Sequence, residues 1–338
     1  MSMKKSFKLL MSLVIAVALP MCLTSCEDIL GHWEKPAPTN VTPSDGGSDE
    51  AAMLGTPLTF EAKTAGAKVT FIADDDAIEK TVEYSEDGGA TWTSESTKSP
   101  GISVTLNNVG DKVMFRGTNA TYSDGAKYNS FSCSADCYVY GNIMSLINKD
   151  NFATNKELTT MFAFYQLFLN NEKLYSHDTQ TLVLPATTLA DACYQKMFYG
   201  CTKFAKAPNL PATDLTNNCY EYMFKGCTAL TSTQEELPAT TLQQYCYQSM
   251  FEGCSALTKA PKLPATTLAG YCYQSMFRDC TNLNEAWVKA DYVNESSCYY
   301  MFNGCTDAPT SIFHSPDAAN WKTKFSSTLG SWAADTTY

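Results

Sequence analysis

The sequence predicts a multidomain chain: an all-β sandwich of the immunoglobulin or fibronectin type, followed by an α/β leucine-rich-repeat solenoid. Three observations predict it. First, the stretch from Leu184 to about Pro309 repeats itself. Leu184-Pro185-Ala186-Thr187-Thr188-Leu189 returns at Leu210, Leu237 and Leu263, each time followed by Cys-Tyr-x-x-Met-Phe-x-x-Cys from Cys193, Cys219, Cys246 and Cys272. A shortened fifth copy runs from Cys298 to Cys305. Second, successive first cysteines are 26, 27, 26 and 26 residues apart, a period in the leucine-rich range with one supersecondary unit per repeat. Third, the residues between Pro57 and Asn142 alternate apolar with polar in short runs, the period of half-buried strands.

In chain order, residues 1–25 read as an export signal. Lys4, Lys5 and Lys8 precede the apolar run Leu9–Met21, and Leu23-Thr24-Ser25-Cys26 follows. A basic start, an apolar core and small residues before a cleavage point make a secretory signal. The Leu-x-x-Cys ending resembles a bacterial lipobox, which implies lipidation at Cys26. Glu27 and Asp28 resemble the surface-export signal of Bacteroidota-type lipoproteins. Residues 26–56 carry Pro36, Pro38, Pro43, Gly46 and Gly47 with no apolar period, and read as a flexible tether. After the signal, no apolar run is long enough to span a bilayer, so the membrane is reached by the lipid anchor alone. Formal charge is -11. Without the three signal lysines it becomes about -14, from 21 basic and 35 acidic residues. Such a chain is a poor partner for nucleic acid.

Residues 57–142 form the expected sandwich. Its runs include Leu58-Thr59-Phe60-Glu61, Lys68-Val69-Thr70-Phe71-Ile72, Ile102-Ser103-Val104-Thr105-Leu106 and Lys112-Val113-Met114-Phe115-Arg116, with turn residues every ten or so positions. Cys133 and Cys137 flank the turn Ser134-Ala135-Asp136 and could bridge if their register places them opposite. Ser85-Glu86-Asp87-Gly88-Gly89-Ala90-Thr91-Trp92 matches the Asp-box of sialidase-like propellers. A propeller needs several boxes, and this chain has one. It reads as a hairpin turn in which Asp87 bonds back to turn amides and Trp92 packs beneath. A glycan-binding role for Trp92 is the minor reading.

The repeat region spans 143–309, with a degenerate, cysteine-free first copy at 158–183, and residues 310–338 form a C-terminal cap rich in aromatics. Within a copy, Leu189, Cys193, Met197 and Cys201 step by four, as along one helix face. Thr188, Asp214, Thr241 and Thr267 stand at the expected N-caps, with Gln244 completing a capping box. Gly200, Gly226 and Gly253 stand at the expected helix ends, with Asp279 in the fourth copy. Each copy is then one short strand and one helix. Ten of the fourteen cysteines lie here. Zinc fits poorly, because Cys-x7-Cys lacks close pairs and His32, His177 and His314 lie outside the repeats. Catalytic thiols need a neighbouring base and have none. Disulfides between adjacent helices, about 8–10 Å apart, exceed the ~7 Å Cα limit. Pairing of one copy's first cysteine with its neighbour's last stays open. Buried free thiols, acting as small core hydrophobes, are the favoured reading.

The motifs Met197-Phe198-Tyr199-Gly200-Cys201, Met223-Phe224-Lys225-Gly226-Cys227, Met250-Phe251-Glu252-Gly253-Cys254 and Met301-Phe302-Asn303-Gly304-Cys305 resemble the BspA-like leucine-rich repeats of bacterial surface proteins. That resemblance covers about 158–309. It implies an outer-membrane lipoprotein exposed on the cell surface, adhesion to host or bacterial surface proteins, no cofactor and no catalytic residues. The candidate binding surface is where the copies differ: Lys206, Asn209, Ser232, Glu236, Lys259, Lys262 and Glu285. The alternatives are a glycan-binding or sialidase-like exported lipoprotein and a structural surface-coat protein.

Overall fold

Alternating burial sets the first strands. In β1 (Leu58–Ala62) the side chains of Leu58, Phe60 and Ala62 are buried. In β2 (Ala67–Ala73) the alternating residues Ala67, Val69, Phe71 and Ala73 are buried. The strands β3 (Thr81–Ser85), β4 (Thr93–Ser96), β5 (Ile102–Leu106), β6 (Lys112–Gly117), β7 (Asn129–Cys133) and β8 (Cys137–Asn142) follow. These belong to a computed structural model that describes residues 47–292, 295–306 and 308–338. The expected signal peptide and Cys26 lie outside the described residues. Part of the expected tether is a helix, α1 (Gly47–Met53).

Later in the chain come β9 (Leu174–Ser176), β10 (Leu182–Val183), β11 (Glu285–Trp287), β12 (Ile312–His314) and β13 (Ala333–Asp335). The strands form three sheets. One has the order β10-β8-β1-β6-β3-β4, with β9 also paired to β8; the others are β5-β2-β7 and β11-β12-β13. The first two face each other across aromatic contacts. Phe60 lies 4.9 Å from Phe131, and Phe115 lies 4.9 Å from Phe131 and 6.3 Å from Phe71, between ring centroids.

The repeats depart from expectation. Their cysteine-to-cysteine segments contain turns where α-helices were predicted. The described helices are α1, α2 (Glu295–Cys298), α3 (Ala318–Lys324) and α4 (Ser326–Leu329), none longer than seven residues. Among the described residues the regular structure is mainly β, with thirteen strands in three sheets against four short α-helices. The fold class of a sandwich followed by an α/β leucine-rich-repeat solenoid is therefore corrected.

The backbone hydrogen bonds show what replaces the helix. Alternate N–H groups close turns: Cys193, Gln195, Met197, Tyr199 and Cys201 each donate to the carbonyl three residues back. The others reach the next copy. Tyr194, Lys196, Phe198 and Gly200 donate to the carbonyls of Cys219, Glu221, Met223 and Lys225 at 3.0, 2.9, 2.9 and 2.8 Å. Tyr220, Tyr222, Phe224 and Gly226 repeat this onto Cys246, Gln248, Met250 and Glu252. Through this stretch the backbone donors are paired, as a buried chain requires.

Every fourth residue takes a left-handed conformation to make this possible. Ala192, Lys196 and Gly200 have φ of 54°, 56° and 74°, and Asn218, Tyr222 and Gly226 have 57°, 55° and 76°. For a non-glycine residue that conformation costs roughly 1–2 kcal/mol. The glycines predicted as helix terminators are instead the last left-handed residues of a series of turns. The predicted caps fail for the same reason: Asp214 and Thr241 pair with each other as a parallel bridge, as do Glu157 and Thr188.

Two aromatic columns run through the copies. Phe131, Phe168, Phe198, Phe224, Phe251, Phe277 and Phe302 stack at successive centroid spacings of 5.8, 5.1, 5.3, 5.7, 5.7 and 5.8 Å. Tyr194, Tyr220, Tyr247 and Tyr273 stack at 5.7, 5.7 and 6.2 Å. Each ring is buried, worth about 1.5–3 kcal/mol per side chain. The phenylalanine column starts on β7, so the facing sheets and the first copy share one core. At the far end Trp321 and Trp332 are buried and donate their indole N–H groups to Ala290 and Thr306 carbonyls, each at 3.0 Å.

Candidate functional site

Inter-copy pairing brings most of the variable positions together. Lys206 pairs with Ser232 and Lys259 with Glu285 as parallel bridges, and Glu236 pairs with Lys262 alongside. Lys206, Ser232, Glu236 and Lys259 are exposed; Asn209, Lys262 and Glu285 are half-buried. Asn209 is spent within the chain, because its Nδ2 donates to Glu50 Oε2 of α1 at 2.7 Å.

The densest part surrounds Trp287, which sequence reasoning missed. Its side chain is buried. Lys259 Nζ lies 4.5 Å from the ring centroid and Lys262 Nζ 6.0 Å. From the following strand, the His314 imidazole stacks on the indole at 4.6 Å with planes 7° apart. Lys259 Nζ also lies 3.9 Å from Glu285 Oε2, and Lys262 Nζ is 3.0 Å from Glu235 Oε1. The Lys262 ammonium holds the Glu235 carboxyl below the usual carboxylate range.

His314 stands between two acids. Its Nδ1 is 3.1 Å from Asp335 Oδ2, and its Nε2 is 3.4 Å from Glu285 Oε1 without hydrogen-bond alignment. Hydrogen bonds from the Thr337 backbone and hydroxyl, with His314 adding to them, lower the Asp335 carboxyl.

No family model, curated protein or solved structure matches this chain. The reading of its surface therefore rests on its own geometry. This patch places two lysines over a buried indole, each with a carboxylate beside it. No group of three or more His, Cys, Asp or Glu among the described residues could hold a metal ion. No described helix is long and apolar enough to cross a membrane.

The Asp-box residues hold a turn. Asp87 accepts hydrogen bonds from the Thr91 hydroxyl at 2.6 Å, the Thr91 amide at 2.9 Å and the Ser85 hydroxyl at 2.7 Å. These bonds hold its carboxyl far below the usual range. Trp92 Nε1 donates to the Gly89 carbonyl at 3.0 Å, and the Arg116 guanidinium lies 3.9 Å from the ring centroid. One face of Trp92 is thus occupied from within the chain. Arg116 in turn donates to Glu83 at 2.6 Å.

The repeat cysteines are buried and joined in no disulfide. Cys201, Cys227, Cys254, Cys280 and Cys305 donate their S–H groups to the carbonyls of Phe168, Phe198, Phe224, Phe251 and Phe277, at 3.0–3.2 Å. Burial raises the thiols of Cys272 and Cys305 to about 12, and those of Cys193, Cys201, Cys219, Cys227, Cys246, Cys254 and Cys280 in the same direction. All ten pack in the core, and the second cysteine of each copy adds a weak bond to the preceding copy.

Proposed function

We propose that the protein is a cell-surface lipoprotein, anchored through Cys26, whose repeat face binds proteins of host or bacterial surfaces without catalysis. The observation that carries this reading is the alignment of variable residues. Copies that keep their buried Tyr, Met, Phe and Cys nearly unchanged place Lys206, Ser232, Lys259 and Glu285 in paired positions, with Glu236 and Lys262 beside them. A face that varies on an invariant frame is what a recognition surface needs. The export signal and the motif resemblance to BspA-like surface proteins favour the same direction.

The test is binding of the purified full chain to immobilised extracellular-matrix proteins and to intact bacterial cells. Saturable binding should be lost on combined Lys206→Glu, Lys259→Glu and Lys262→Glu substitution with stability retained. Binding that survives this charge reversal contradicts the assignment to this face. Protease treatment of intact cells checks display: a protein cleaved only after lysis is not exposed.

A further inference from the structure

We propose that Cys133 and Cys137 are a redox-active dithiol, which a small-molecule disulfide closes into a covalent staple between the two facing sheets. Cys133 ends β7 of the β5-β2-β7 sheet, and Cys137 begins β8 of the larger one. The pair therefore spans two sheets, where the sequence suggested a simple hairpin. The three residues between them are pinned from both sides. Ser134 N–H donates to the Lys68 carbonyl at 2.9 Å, and the Ser134 hydroxyl accepts from Lys68 N–H at 2.9 Å. The Asp136 carbonyl accepts from Lys63 and Thr64 at 3.0 and 3.1 Å, and Cys137 N–H donates to the Lys173 carbonyl at 2.9 Å.

Asn171 Nδ2 donates to Cys133 Sγ at 3.5 Å, and the Cys137 thiol is close enough to interact with it. The Cys137 thiol most, and the Asn171 amide with it, lower the Cys133 thiol against the opposing effect of its burial. Cys133 is half-buried, whereas Cys137 and the ten repeat cysteines are buried. A partly accessible, hydrogen-bonded thiol with a second thiol against it has the make-up of an attacking and a resolving cysteine. Asn171 belongs to the first copy and also donates to the Phe131 carbonyl at 3.3 Å. The staple would thus close where the sheets meet the repeats.

The step balances. The Cys133 thiolate attacks one sulfur of a disulfide R–S–S–R, forming a mixed disulfide and expelling RS⁻. Cys137 loses its proton to that released thiolate, and its sulfur attacks Cys133 Sγ, expelling the second RS⁻, which takes up the proton that Cys133 had lost. The dithiol is oxidised, and one disulfide is reduced to two thiols.

The experiment treats the folded full chain with glutathione disulfide and maps peptides by mass spectrometry without reduction. The peptide holding both cysteines should become lighter by two hydrogens, while the repeat cysteines stay unmodified. Cys137→Ser should leave glutathione attached at Cys133. A second measurement needs no variant: under iodoacetamide, Cys133 should alkylate at least about tenfold faster than any repeat cysteine. Failure of the wild-type peptide to lose two hydrogens, or alkylation of Cys133 no faster than that of the repeat cysteines, overturns the proposal.

Discussion

Lys196 separates a ladder of turns from a helix by the sign of one energy difference. It lies between Cys193 and Cys201, where the four-residue spacing suggests a helix interior, yet its φ is 56°. Lys196→Ala and Lys196→Gly remove the same contacts, including the ammonium 5.6 Å from the Tyr165 ring centroid and 5.7 Å from that of Tyr222. The two variants differ only by one methyl group. In a helix interior alanine is the more stable by about 1 kcal/mol. In the left-handed conformation alanine pays roughly 1–2 kcal/mol that glycine does not. Glycine gives back about 0.4–1 kcal/mol through a more flexible unfolded chain. The glycine variant should therefore be the more stable by about 1 kcal/mol. Urea unfolding of the full chain, followed by tyrosine and tryptophan fluorescence, measures the difference. An alanine variant more stable than the glycine variant refutes the turn assignment.

Other perturbations follow from the same architecture. Glu221 is buried and accepts hydrogen bonds from Asn218 Nδ2, at 2.7 Å, and from Gln195 Nε2. Burial raises its carboxyl above the ordinary 4.5 despite those bonds. A raised folded-state value means stability present at low pH and lost as pH rises through it. Glu221→Gln should thus stabilise the fold at neutral pH and change little near pH 4, as thermal melts at the two pH values would show. Glu83 has the opposite sign, because the Lys149 ammonium, with Arg116, lowers its carboxyl. Glu83→Gln should destabilise at neutral pH and converge with the parent as acid protonates the carboxylate, read in the same melts. Phe224→Ala interrupts the buried phenylalanine column and should cost about 3–5 kcal/mol in urea unfolding.

The repeat period was legible because inter-copy pairing forces equivalent residues into register: Tyr194, Tyr220, Tyr247 and Tyr273 recur because they stack. What the register builds was not legible from spacing alone. Steps of four from Leu189 to Cys201 fit a helix face, but at about 100° per residue a helix drifts roughly 40° per step. Three such steps would carry Cys201 well off the face of Leu189, whereas successive four-residue turns hold it. Glycine at the fourth-residue positions hinted at left-handed backbone, but Lys196, Tyr222 and Tyr245 hid that signal, since their types disfavour it. Sequence variation identified the candidate face, and pairing brings Lys259, Lys262 and Glu285 around Trp287. The contact between Asn209 and Glu50, 159 residues apart, could not be read from any local pattern.

The backbone of the repeats can be tested bond by bond with NMR scalar couplings transmitted across hydrogen bonds. The decisive one starts at the Phe224 amide, which donates to the Met250 carbonyl at 2.9 Å. A coupling between Phe224 nitrogen and Met250 carbonyl carbon is the predicted result. A coupling to Tyr220, four residues back, would mark a helix and contradict the account.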